Sequence, residues 1–108
     1  MAATRYYIIA TYTAKAMAGM IEAPSDRAAA VKKACKAVGV KFISLDLCRG
    51  KYDTVAIVES DSYDKVLGMK MAVLATGSVG ELYVLEAVDA SAALEHAAAV
   101  AKAYQPAG

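Results

Sequence analysis

Residues 40–59, VKFISLDLCRGKYDTVAIVE, decide how this chain folds. Two runs rich in aliphatic and β-branched residues flank Arg49-Gly50-Lys51. A short glycine-containing link between two such runs predicts a β-hairpin. Taken as symmetric about Gly50, the hairpin pairs Cys48 with Tyr52, Asp46 with Thr54, Ser44 with Ala56 and Phe42 with Val58. Successive side chains of a strand point to opposite faces. Ile43, Leu45, Leu47, Val55 and Ile57 then share one face, expected to meet helices. Phe42, Ser44, Asp46, Cys48, Tyr52, Thr54, Ala56 and Val58 share the other.

The flanking sequence supplies the rest of the fold. Tyr6 to Thr13 is aromatic and β-branched and reads as a strand, with Tyr7 and Ile9 on one face and Ile8, Ala10 and Tyr12 on the other. Its apolar residues fall on both faces, as in a strand covered from both sides. Ala14 to Ala23 predicts a short helix, stopped by Pro24. Ser25 is placed to cap a second helix, whose stripe is Ala28, Val31, Ala34, Cys35 and Val38 and whose C-terminal glycine is Gly39. Ser60 or Asp61 opens a third helix, ending near Gly77, with the stripe Tyr63, Leu67, Met71 and Leu74. Val79 to Val88 predicts a fourth strand, and Asp89 or Ser91 opens a last helix running to Tyr104. The order βαββαβ plus a C-terminal helix is the split βαβ arrangement of ferredoxin-like α+β domains. Right-handed crossovers put both main helices on one face of a four-stranded antiparallel sheet.

Composition bounds what such a chain can be. Its 108 residues are expected to form a single domain over residues 1–108, with a frayed tail at 105–108. Hydrophobic residues make up 58%, but so many are alanine that the core must lean on Ile, Leu, Val, Met and Tyr. A formal charge of +1 provides no field for nucleic acid or an anionic membrane. No glycine-rich phosphate loop is present, because Gly77-Ser78-Val79-Gly80 lacks the spacing and the lysine. No apolar run is long enough to span a membrane, and no signal peptide is evident. Cys35 and Cys48 are too far apart for a CxxC site, and a reduced, cytoplasmic protein is the default reading. One histidine, His96, excludes a His-rich metal cage within a chain, so no metal and no cofactor are expected.

With helices on one face only, the other face of the sheet needs an explanation. The set assigned to it is too apolar for a solvated surface, and such a patch usually marks an interface. The last helix adds to this. Leu94, Ala97, Ala98, Ala101 and Tyr104 form a stripe expected to point inward, yet Ala99, Val100 and Ala103 fall elsewhere. A helix with so little charge all round is seldom left in water. Self-association is therefore expected, as a homodimer or a higher homo-oligomer.

Three landmarks then resemble a known family. Pro24-Ser25-Asp26-Arg27 precedes an amphipathic helix, Gly50-Lys51-Tyr52-Asp53 precedes a strand ending in Glu59, and Gly77-Ser78-Val79 precedes the last strand. Together they resemble the GYD-domain proteins, small and mostly bacterial, over about Tyr6 to Val88. Lys51 separates Gly50 from Tyr52, so the order and spacing of all three landmarks carry the resemblance. It implies a ferredoxin-like fold that assembles through its sheets as a dimeric α/β barrel. It implies no activity.

Six residues are candidates for ligand binding. Tyr52 and Asp53 place a phenol and a carboxylate at a strand entrance, where they can line a ligand mouth. The plainer alternative has Asp53 bonding loop amides and Tyr52 packing at an interface. Ser44, Asp46, Cys48 and Thr54 form a possible polar patch, in which a buried Asp46 would serve as a base. The alternative is hydrogen bonding between subunits. Arg49 and Lys51 near Cys48 would favour its thiolate. Arg27 can bind an anion or serve in a salt bridge or in packing. The leading expectation is a small-molecule-binding or regulatory module with its site at the sheet and oligomer interface. The alternatives are a small cofactor-independent enzyme, monooxygenase- or isomerase-like, in the same cavity, and a structural assembly subunit without ligand.

Overall fold

The computed structural model describes residues 3–108. Its elements are β1 (Thr4–Tyr12), α1 (Ala14–Glu22), α2 (Arg27–Val38), β2 (Lys41–Leu47), β3 (Thr54–Ser60), α3 (Tyr63–Ala75), β4 (Val79–Glu86) and α4 (Ala90–Ala103). The four strands form one antiparallel sheet in the order β2-β3-β1-β4, the ferredoxin-like arrangement. α2 and α3 cover one face. Val58 and Val66 are fully buried between them and the sheet, with Tyr6, Cys35, Val40 and Met69 around them. Ala10, Val79 and Leu82 make a second, smaller cluster.

Local chemistry sets the helix ends. The Asp26 carboxylate accepts from the Ala29 amide at 3.1 Å, so Asp26 caps α2 rather than Ser25. Gly39 closes α2 at φ 73°, a left-handed conformation in which glycine meets no Cβ penalty. Asp89 caps α4, accepting from the Ser91 amide at 2.9 Å. At α3 the start falls later than expected. Ser62 occupies the cap position, and its amide donates to Ser60 Oγ at 3.1 Å.

The hairpin departs from the expected register. Cys48 N–H donates to Asp53 C=O at 2.8 Å, which closes a loop of four residues instead of three. Leu47 therefore pairs with Thr54, Asp46 with Val55, Leu45 with Ala56 and Ser44 with Ile57. An irregularity between Phe42 and Ser44 then restores the expected Phe42–Val58 pair. Because strand faces alternate, a one-residue slip reverses every assignment on the slipped strand. Thr54, Ala56 and Val58 are buried under the helices, while Val55 and Ile57 face away. Phe42 packs against the core as well, so it too is inward. The assignment of Ser44 and Asp46 to the helix-free face stands.

α3 also turns differently from its predicted stripe. Val66 and Met69 are buried, with Val73 half-buried, whereas Tyr63, Met71 and Leu74 are exposed. α3 carries apolar residues at both sets of positions, and periodicity alone does not rank two such sets. α4 is a further correction. None of its residues is buried, so the stripe of Leu94, Ala97, Ala98, Ala101 and Tyr104 has no cover within the chain. A compact chain of this length has a radius of gyration of about 13 Å. The observed 17.7 Å and longest extent of 59 Å reflect this projecting arm.

Candidate functional site

The register places two rows of side chains across the helix-free face. In strand order they are Ser44–Ile57–Tyr7–Leu85 and Asp46–Val55–Ile9–Tyr83. Six of these eight residues are large and apolar or aromatic. Leu85 is 54% exposed and Tyr83 47% exposed, and Tyr7, Ile9, Val55 and Ile57 are half-buried only by their neighbours in the sheet. Charge is confined to the borders. At one end Arg5 Nη2 donates to Glu59 Oε2 at 3.1 Å, with Lys41 Nζ at 4.0 Å from the same carboxylate. That hydrogen bond to Glu59 raises the Arg5 pKa above its ordinary value. At the other end Tyr52 packs edge-on against Tyr83, with ring centroids 6.0 Å apart at 79°. Lys51 Nζ lies 5.6 Å from the Tyr52 ring.

The six candidate ligand residues are not brought together in one place. Ser44 and Asp46 lie on the β2 edge of the helix-free face, and Tyr52 closes one end of it through Tyr83. Cys48 is exposed in the hairpin loop, its Sγ 3.7 Å from Asp46 C=O. Asp53 has structural work. Its Oδ2 accepts from the Tyr12 amide at 2.8 Å, and its own amide donates to Ala10 C=O at 2.9 Å. The carboxylate thereby extends the β3 side of β1 by one more hydrogen bond, past Ala10–Thr54, the last pair of that ladder. Thr54 sits beneath the sheet, and its Oγ1 donates to Asp46 C=O at 3.3 Å. Cys35 is buried, and that burial pushes its thiol pKa up.

The large residues of the helix-free face, Tyr7, Ile9, Val55, Ile57, Tyr83 and Leu85, were not among the candidates. The signal for Tyr7 and Ile9 was their shared face on a strand apolar on both sides. For Val55 and Ile57 it was obscured by the loop length. Among the described residues, no group of three or more His, Cys, Asp or Glu side chains is placed to hold a metal. No helix of the described chain is long and apolar enough to cross a membrane.

The family model described as GYD domain matches residues 6–98. The chain belongs to the GYD-domain family. No curated protein matches it. This GYD domain is similar in structure to the hypothetical protein PHS023 from Pyrococcus horikoshii, with 14% identity and a TM-score of 0.50, covering 80% of this chain and 90% of that one. It is also similar to MtbAldR, with 9% identity and a TM-score of 0.54, covering 80% of this chain and 52% of that chain. At such identities the likeness of the GYD domain to these proteins shows the fold alone.

Proposed function

We propose that this GYD domain is a homo-oligomeric small-molecule-binding module whose helix-free sheet face packs against the same face of a second copy. The observation that carries the reading is the pair of apolar rows across that face. Burial of apolar surface contributes about 25 cal/mol per Å², so several hundred Å² would contribute on the order of ten kcal/mol before association costs. The face suits a copy of itself. Its centre has no charge to desolvate, and its borders carry both signs, so a two-fold pairing opposes no block of like charge. The α4 arm supports the same occupant. An alanine-rich helix of this length is marginal alone in water, and its uncovered stripe needs a partner.

Between two such faces, the polar groups at the margin would line the ligand site. Ser44, Asp46 and Tyr52 point to that space, with Cys48 in the adjoining loop. Asp53 and Thr54 would act behind them, holding the strands that present them. Asp46 has no acid–base partner bonded to its side chain among the described residues, so binding is placed ahead of catalysis.

Sedimentation velocity tests the reading. The wild-type chain is expected to sediment as a dimer or larger at micromolar concentration. Ile57→Lys is expected to sediment as a folded monomer, with an unchanged circular dichroism spectrum. A wild-type chain that is monomeric throughout the range would overturn it.

A further inference from the structure

The helix-covered face of the sheet contains a second feature, independent of the first. Where α2 and α3 diverge over β1 and β3, the facing residues are small: Ala10, Ala30, Ala34 and Ala56. They leave a cavity of about 140 Å³. The space is a crevice open to the surface, since its lining residue Ala30 is exposed while Ala10 and Ala56 form its buried floor. A dry apolar cavity of about 150 Å³ accommodates a benzene-sized ring. Two cations, Arg27 and Lys70, are among the lining residues, and no acidic residue is.

The cavity continues into a second cleft of about 250 Å³ beneath α1. Tyr12, Arg27 and Ser78 line both spaces and so stand at their junction. The ion pairs among the described residues are Arg5–Glu59, Lys41–Glu59 and Lys65–Asp61, leaving Arg27 and Lys70 without a carboxylate partner. Arg27 Nη1 donates to Ser25 Oγ at 3.1 Å, a contact that leaves most of its donors available. Arg27 is half-exposed and has no counter-charge, and a guanidinium so placed at the mouth of an apolar crevice is matched by an anion attached to an apolar body.

We infer that this crevice binds a small monocarboxylate with an apolar body the size of a benzene ring. The body fills the space among Ala10, Ala34, Ala56 and Val73. The carboxylate meets Arg27 at the junction, with Lys70 adding positive charge. The site lies on the opposite side of the sheet from the proposed dimer face, so the two can be lost separately.

Phenylacetate is the probe, with phenylacetamide as its uncharged counterpart. Each is titrated into the full chain while backbone amide resonances are followed by NMR. Phenylacetate is expected to shift Ala30, Ala34, Val73 and Val79 saturably. Phenylacetamide should bind at least about tenfold more weakly, since it loses the charge-assisted contact. Arg27→Gln should reduce the affinity for phenylacetate by a similar factor and leave that for phenylacetamide unchanged. Ala34→Leu should abolish binding of both by filling the space. If Ala34→Leu does not fold, Arg27→Gln decides alone, because its side chain is not part of the buried core. Equal affinity for the two probes would overturn the inference. So would an absence of saturation, or shifts centred on Tyr7, Ile9 and Ile57.

Discussion

Asp53 illustrates how a residue that resembles a binding group can serve the fold. Its carboxylate accepts the Tyr12 amide on the β3 side of β1, where the ladder has already ended at Ala10–Thr54. Asp53→Ala leaves the amide unsatisfied in a half-buried position. Such a loss costs about 1–3 kcal/mol, to be measured by urea denaturation. Asp53→Asn keeps an acceptor oxygen and should lose less. The two cysteines should separate as sharply. Cys48 is exposed and Cys35 is buried, with its thiol pKa pushed up by that burial. A thiol reagent is expected to titrate Cys48 rapidly in the native chain and Cys35 only after denaturation. Two fast thiols would show that α2 opens readily. At this scale the sequence was informative about residue type but less so about direction. Cys35 on a helical stripe was legible as core, whereas Thr54 needed the hairpin register.

Among the elements, the strands and helices were legible because propensity, caps and periodicity agree along most of the chain. Their facing was not. Whether residues 49–51 or 49–52 form the hairpin loop depends on one backbone hydrogen bond, Cys48 N–H to Asp53 C=O, and that bond turns β3 over. α3 offered two apolar stripes, and the one that packs was set by its place over the sheet. α4 carries a prediction of its own. The Ser91 amide, and then the Ser91 hydroxyl, hold the Asp89 pKa below its ordinary value of 3.8. The sign follows directly. A carboxylate with a depressed folded-state pKa stabilises fully above its unfolded pKa, and that contribution is lost as pH falls through the folded value. The helical signal of α4 should therefore be level above about pH 4 and decline below it. Amide resonances of Ala90 to Ala93 report this directly, and Asp89→Asn should flatten the dependence. A decline centred above pH 5 would contradict the assignment of Asp89 as its cause.

Across the whole molecule, the two sides of the sheet should answer differently to the same substitution at adjacent residues. Ala56 is 5% exposed under the helices, while its neighbour Ile57 lies on the helix-free face. Ala56→Lys buries a charge without a partner and is expected to unfold the chain or lower its stability by several kcal/mol. Ile57→Lys should leave the melting transition cooperative while it shifts the sedimentation coefficient. If both variants unfold, Ile57 belongs to the subunit core; if neither changes assembly, the face is not an interface. The apolar character of the helix-free face was legible from β1, where Tyr7 and Ile9 alternate with Ile8 and Ala10. The crevice was not, because its walls are residues distant in sequence whose smallness matters only once α2 and α3 lie above them.

The irregularity between Phe42 and Ser44 has a bearing on how the protein behaves when crowded. β2 is an outer strand, and a regular outer strand offers its free amides and carbonyls as a template for the next chain. An extra residue bends that border and puts its donors out of step with any straight newcomer. Side-by-side extension into ribbons is thereby discouraged along this margin, and stacking of broad surfaces becomes the less hindered way for molecules to meet.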